Sequence, residues 1–245
     1  MRTIKITVSY DGTKYRGWQR LGDSDKTIQG KIEAVLTRCT GEKIEIHGSG
    51  RTDAGAHAYA QVAHFKTRSE VTCQAILEFA YTYLPNDIVI FNAEEMADNF
   101  HARLHAKRKR YIYRIDNGQY PNVFERHYAW HVAEKLNIED MRTAALSFLG
   151  KHDFTSFTSD KAKNKAMRTI YTAEIVENEH CVEIIFEGDG FLYNMVRIMA
   201  GTLIEIGWGE RYADCIDAMF EAKSRQFAGQ TAPAHGLFLD SVSYE

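Results

Sequence analysis

Proline is scarce in this chain, with three in 245 residues. None of them belongs to a Pro/Gly/Ser-rich stretch, so no flexible linker between domains is marked. Cysteine is scarce too. Cys39, Cys73, Cys181 and Cys215 stand far apart and form no C-x-x-C pair, which argues against a disulfide framework or a zinc cage and for buried free thiols in a reducing compartment. No uninterrupted apolar run approaches the ~20 residues that a bilayer-spanning helix needs. The opening MRTIKITVSY alternates apolar with polar residues, where a signal peptide would be continuously apolar. Repeats and low-complexity tracts are missing as well. The cytoplasm is the expected location, with no membrane partner.

Excess charge of one sign is also missing. Lys and Arg number 30 against 33 Asp and Glu, for a formal net charge of −3, so the chain as a whole is not a basic coat for nucleic acid. The distribution says more than the sum. Between Asp98 and Asp116 stand Arg103, Lys107, Arg108, Lys109, Arg110 and Arg114 without one acid, and KAKNKAMR adds Lys161, Lys163, Lys165 and Arg168. Two basic runs on an acidic protein suggest a directed anionic partner, although either run alone is equally a solvated surface.

Hydrophobic patterning gives a mixed architecture. Ile4, Ile6, Val8 and Tyr10 alternate as on a strand. Thr27 precedes Ile28, Ile32, Val35, Leu36 and Cys39, recurring at helical spacing. Further strands are expected at 44–47, 61–66, 88–92, 109–115, 169–176, 181–186 and 237–244. Helices are expected at 72–84, 138–149, 191–206 and 212–222. Helices and strands do not alternate strictly, which predicts an α+β fold with a mainly antiparallel continuous sheet flanked by helices. Two pseudo-symmetric halves, 1–105 and 106–245, would leave a central cleft between them.

Several stretches carry possible chemistry. GSGRTDAGAHA, from Gly48 to Ala58, sets Asp53 beside Arg51 in a loop rich in Gly and Ala. It reads either as a tight turn or as a carboxylate held where a substrate approaches closely. In KRKRYIYR, Tyr111 and Tyr113 face one side of a strand. An aromatic face framed by Lys and Arg suits base stacking with phosphate neutralisation, and equally suits a core. His101 and His105 have the spacing of two ligands on one helix face, but no Cys stands near and no H-E-x-x-H occurs, so no metal is expected. Arg197 lies in FLYNMVRIMAG among Met195, Val196, Ile198 and Met199. It must either snorkel or pair with a carboxylate, and Asp53 is the acid most in need of a partner. Neither DGTKYRGWQ nor GSGRTDAG has the spacing of a nucleotide-phosphate loop.

YDGTKYRGWQ, GSGRTDAGAHA, FHARLHAKRKRYIYRI, HDFTSFTS, FLYNMVRIMAG and APAHGLFLDSV follow one another in that order. Together they resemble the bacterial tRNA pseudouridine synthase A family, whose members isomerise uridine in the anticodon stem-loop of tRNA. The resemblance covers essentially the whole chain. It implies that Asp53 is the catalytic aspartate, that Tyr111 packs on the target base with Tyr113 as the alternative one pleat away, and that Arg197 pairs with Asp53. It places Arg51 where the displaced nucleotide is contacted. It also implies a cofactor-free reaction and a homodimer. Arg103, Lys107, Arg108, Lys109, Arg110, Lys161, Lys163, Lys165 and Arg168 then become candidate contacts for the RNA backbone. Ala56 stands where the family pattern has Val, Tyr59-Ala60 departs from it before Gln61, and Arg20-Leu21-Gly22 departs from it after Gln19. None of these departures removes a catalytic match, and they are compatible with a paralogue of altered substrate choice; the rival reading is a non-catalytic tRNA-binding module or folding helper that keeps the scaffold.

Overall fold

A computed structural model describes residues 1–22, 24–160, 166–179 and 181–245. The chain divides into two compact units, residues 1–107 with 239–245, and residues 108–238.

In the first unit, β1 (Arg2–Tyr10) lies between β3 (His57–Thr67) and β4 (Ile88–Met96), antiparallel to both. Residues 239–243 of β10 (Leu237–Ser243) follow on the far side of β3, and the short β2 (His47–Gly48) also pairs with β3. The alternation in β1 sends Ile4, Ile6 and Val8 to a wholly buried face. A bulge between Val8 and Tyr10 shifts the register against β3, so that Tyr10 stands opposite Ala58, where the Gly48–Ala58 loop enters that strand. Helix α1 (Ile28–Thr40) is capped by Thr27, whose side chain accepts from Gly30 N, and α2 (Cys73–Tyr83) is capped by Thr72 in the same way.

In the second unit, β5 (Arg108–Asp116), β9 (Cys181–Gly188), β8 (Met167–Asn178) and β7 (Gly150–Asp153) pair antiparallel in that order. The two-residue β6 (Trp130–His131) runs parallel to the end of β5. Helices α3 (Ile138–Leu146), α4 (Met195–Gly207) and α5 (Cys215–Ala222) complete this unit among the described residues. Nearly every residue of α4 is buried. Phe148, Phe154, Phe157 and Phe220 meet at ring-centroid distances between 5.1 and 6.1 Å, and the first three of them are wholly buried. Both units are α+β, and their sheets are mainly antiparallel, as expected.

Four expectations need correction. The strand foreseen at 44–47 is confined to His47–Gly48. Ile44 N donates to Thr37 Oγ1 and Ile46 N to Glu33 Oε1, so side chains of α1 take the donors that a neighbouring strand would take. The helix foreseen from Phe191 starts at Met195, because Asn194 adopts the left-handed conformation (φ 61°, ψ 2°) and interrupts it. Helix α3 ends at Leu146, where Ser147 N bonds back to Ala144 O and tightens the last turn. All four cysteines are free but half-buried rather than buried.

Candidate active site

The Gly48–Ala58 loop is fixed chiefly through its backbone. Ser49 N donates to Val62 O at 2.7 Å, Ser49 Oγ bonds Gln61 Oε1 at 2.6 Å, and Gln61 Nε2 returns to Gly50 O at 3.1 Å. The loop at residues 10–18 holds the other side. Trp18 N donates to Thr52 O at 3.1 Å, Gly55 N to Tyr15 O at 3.3 Å, and Tyr10 Oη bonds Thr52 Oγ1 at 2.7 Å in a buried pair. Ala56 N closes a turn onto Asp53 O at 3.1 Å.

Two glycines allow this approach. A Cβ on Gly12 would lie 1.9 Å from Ala56 O. One on Gly17, which already has φ +92°, would lie 2.7 Å from Thr52 O. Gly12 N donates to His57 Nδ1 at 3.0 Å, which gives that nitrogen an acceptor role and leaves the ring proton for Nε2. Asp11 Oδ1 approaches the same nitrogen to 3.2 Å, a contact that is ionic only with the imidazole protonated. Asp11 Oδ1 also accepts from Thr13 N and Thr13 Oγ1. Asp53 itself is half-buried, and Arg51 is exposed with Nε bonded to Gln19 Oε1 at 3.0 Å. The backbone contacts bear out the tight-turn reading of this loop, with Ala56 N bonded to Asp53 O.

In the second unit, β5 separates the two tyrosines of KRKRYIYR by their environment. Tyr113 is wholly buried, with its hydroxyl spent on Pro233 O at 2.9 Å, and burial pushes that hydroxyl far above the ordinary tyrosine range. Tyr111 is 7% exposed and meets Phe191 edge-on at 5.0 Å.

Arg197 stands in the first turn of α4, the positive end of the helix dipole, where a cation gains nothing from the helix. It is half-buried. Its Nε donates to Ala232 O at 2.7 Å and its Nη1 to Asn194 Oδ1 at 3.0 Å. The left-handed Asn194 that delays the helix is therefore also a partner of this arginine. His235 is close by. Burial foremost, reinforced by the charges of His127 and Arg197, pushes its imidazole below its ordinary range despite a bond to the Ala129 backbone.

The basic candidates have varied surroundings. Arg103 and Lys107 are exposed, Lys109 and Arg110 half-buried. Arg108 pairs with Glu187 at 2.9 Å and lies 4.6 Å from the centre of the Tyr171 ring. Arg168 is half-buried and donates to Met167 O. Lys161, Lys163 and Lys165 lie outside the described residues.

His101 and His105 sit on a turn rather than a helix. His105 Nδ1 accepts from His101 N, and His101 Nδ1 accepts from Arg103 N and Leu104 N. Among the described residues, no group of three or more His, Cys, Asp or Glu is arranged to hold a metal ion, and no helix is long and apolar enough to cross a membrane. Sequence reasoning missed Tyr10, Gly12 and Gly17 as the grip on the Asp53 loop. The available signal was the pairing of two glycines with flanking aromatics in YDGTKYRGWQ.

A family model described as tRNA pseudouridine synthase matches residues 6–104 and 144–245. The chain belongs to this family. The matched segments contain Asp53 and Arg197, whereas Tyr111 and most of the first basic run fall in the unmatched interval. A Bacillus cereus protein named tRNA pseudouridine synthase A 2 is 46% identical over 245 residues, covering 100% of both chains. A tRNA pseudouridine synthase A of an Exiguobacterium species is 48% identical over 246 residues, covering 100% of this chain and 99% of its own. That of Acetivibrio thermocellus is 45% identical over the full length of both. This family member is a tRNA pseudouridine synthase, an isomerase that converts uridine to pseudouridine.

Proposed function

We propose that this synthase isomerises uridine in the anticodon stem-loop of tRNA, with Asp53 as its catalytic carboxylate. The observation that carries the reading is the double grip on the Asp53 turn, by Gln61 and Val62 from one side and by Tyr10, Tyr15 and Trp18 from the other. A carboxylate on so fixed a backbone is preorganised, as nucleophilic or general-base chemistry requires.

In the reaction proposed, the bond between N1 of uracil and C1′ of ribose breaks. The uracil turns while held, a bond forms between C5 and C1′, the proton on C5 is lost to solvent, and N1 takes up a proton in its place. The target nucleotide must first leave its stack, at a cost of a few kcal/mol. Arg51, exposed and steadied by Gln19, suits the space that the nucleotide vacates, and Tyr111 suits the base face. By resemblance to the family, Arg197 pairs with Asp53 during catalysis, the reaction is cofactor-free, and the enzyme works as a cytoplasmic homodimer. Arg103, Lys107, Arg108, Lys109, Arg110 and Arg168 are proposed to follow the RNA backbone.

The test is tritium release from tRNA carrying 5-tritiated uridine, with the wild-type enzyme and Asp53→Asn. Release by the wild type alone, with tRNA binding intact in the variant, is the expected result. Equal release by Asp53→Asn would overturn the assignment. Binding without release by well-folded wild type would favour a non-catalytic tRNA-binding role.

A further inference from the structure

Helix α4 carries a buried carboxylate, Glu205, that the chemistry above does not use; it is 8% exposed. Its Oε1 accepts the backbone N–H of Gln230 at 2.7 Å, and its Oε2 accepts Nε–H of Arg211 at 2.6 Å. Nearly one turn earlier, Thr202 Oγ1 accepts Gly229 N–H at 2.9 Å while donating to Ile198 O at 2.8 Å. At Gly201 the backbone of Gln230 comes so close that an added Cβ would lie 2.1 Å from its carbonyl oxygen. Arg197 completes the row. Its carbonyl accepts Ala232 N–H at 3.1 Å, and its own Nε donates to Ala232 O at 2.7 Å.

Residues 197, 201, 202 and 205 follow helical spacing and share one face of α4. Residues 229–232 therefore form a strap along that face, pinned at Gly229 and Gln230 and ending on the arginine. Arg225 bonds the strap at Thr231 Oγ1, 3.1 Å away, and the residue before it at Ala228 O, 3.2 Å away. An arginine that merely snorkels would need no such frame.

We infer that Glu205 is a positioning residue of the isomerase: by anchoring the strap at Gln230 it sets the place of Ala232 O, and through that oxygen it aims the guanidinium of Arg197. The inference rests on the role proposed for Arg197. The geometry predicts a particular kinetic signature. Loosening the strap leaves Arg197 present and charged but displaces the acceptor of its Nε–H, so the guanidinium shifts and the chemical step slows while the tRNA surface stays intact.

Single-turnover tritium release at saturating enzyme gives the maximal rate, and its dependence on enzyme concentration gives half-saturation. Glu205→Gln keeps the volume but loses the charged acceptor. It is expected to lower the maximal rate about 10–100-fold, the range for small misplacements of catalytic groups, with half-saturation within twofold of wild type. Thr202→Val, which removes the acceptor of Gly229 N–H, is expected to act in the same direction and decides the matter if Glu205→Gln does not fold. Arg197→Lys is expected to be slow, and combining it with Glu205→Gln to be no slower, because Glu205 acts only through Arg197. Folded Glu205→Gln or Thr202→Val at the wild-type rate, beside a slow Arg197→Lys, would overturn the positioning role alone. Losses that multiply in the double variant would show that Glu205 acts elsewhere and would also overturn it. A wild-type rate for Arg197→Lys would remove the role of Arg197 and the inference with it.

Discussion

Replacing Gly12 with alanine adds one methyl group where the Asp53 turn leaves no room. The new Cβ would stand 1.9 Å from Ala56 O and 2.7 Å from Ala56 C. An ordinary carbon–oxygen contact lies near 3.3 Å, so the two backbones must part by about 1.4 Å. Gly12 cannot simply retreat. Its N–H is bonded to His57 Nδ1 at 3.0 Å, its carbonyl accepts Tyr15 N–H at 2.9 Å, and Asp11 N is tied to Asp87 O at 3.0 Å. Ala56 yields instead, and Ala56 N is bonded to Asp53 O, so the displacement reaches the proposed catalytic residue. A shift of about 1 Å in a catalytic group costs about 10²-fold in rate. The expected result is a fall of about that size in single-turnover tritium release. Overpacking adds about 1–3 kcal/mol of destabilisation, which for a chain of this length lowers the melting temperature by roughly 2–12 °C. Gly22→Ala is the control, since nothing lies within 4 Å of its added Cβ. A folded Gly12→Ala enzyme with the wild-type rate would refute the claim that residues 10–18 determine the position of Asp53.

Three further substitutions test neighbouring parts of the argument. Tyr10→Phe removes the buried 2.7 Å bond to Thr52 Oγ1 and should cost about 1–3 kcal/mol in urea unfolding, since the threonine loses that partner; an unchanged midpoint would refute the bond's importance. His64 is held down to about 4 by burial first, then by the charges of His101 and His47, with Lys66 adding to them. The unfolded chain therefore binds the proton first as pH falls from about 6.5 to 4, and stability drops through that window, by about 1–2 kcal/mol at pH 5. His64→Gln should flatten this profile, and an unaltered slope would show that another group carries it. Thr27→Ala deletes the cap on Gly30 N, 3.3 Å away, and should cost about 1 kcal/mol in thermal unfolding without altering the rate of a folded enzyme.

Local chemistry was readable from the sequence wherever one element decides its own form. The alternation of β1 and the start of α1 after Thr27 both depend on neighbours in the chain. What escaped was decided from a distance. Ile44 and Ile46 have the look of a strand, yet side chains of α1 take their N–H groups. The apolar run from Phe191 looks continuous with α4, yet Asn194 leaves helical space and its side chain serves Arg197 and Ser159. Strands β6 and β7 are too short to show a period. At the candidate site, Asp53 and Arg197 could be singled out as residues, but not the segments that hold them. Tyr111 and Tyr113 share one face of β5, and what sets Tyr113 apart, its complete burial and its bond to Pro233, is decided by residues far along the chain.

The two residues proposed for the chemistry are held by the same device. Asp53 sits on a turn whose backbone is touched by Gly12 and Gly17, from a segment more than thirty residues away. Arg197 is aimed by Ala232, on a strap that reaches α4 only because Gly201 and Gly229 present no side chain there; a Cβ on Gly229 would lie 2.6 Å from Thr202 Cα. Main chain pressed against main chain has no rotamers to sample, so it transmits position more faithfully than a relay of long side chains would. The sensitivity of the rate should therefore follow these four glycines more closely than the exposed arginines and lysines around them. Those surface charges act on the approach of RNA through a screened field that falls off over about 10 Å, whereas a methyl group at any of the four glycines moves backbone that carries or aims a proposed catalytic group.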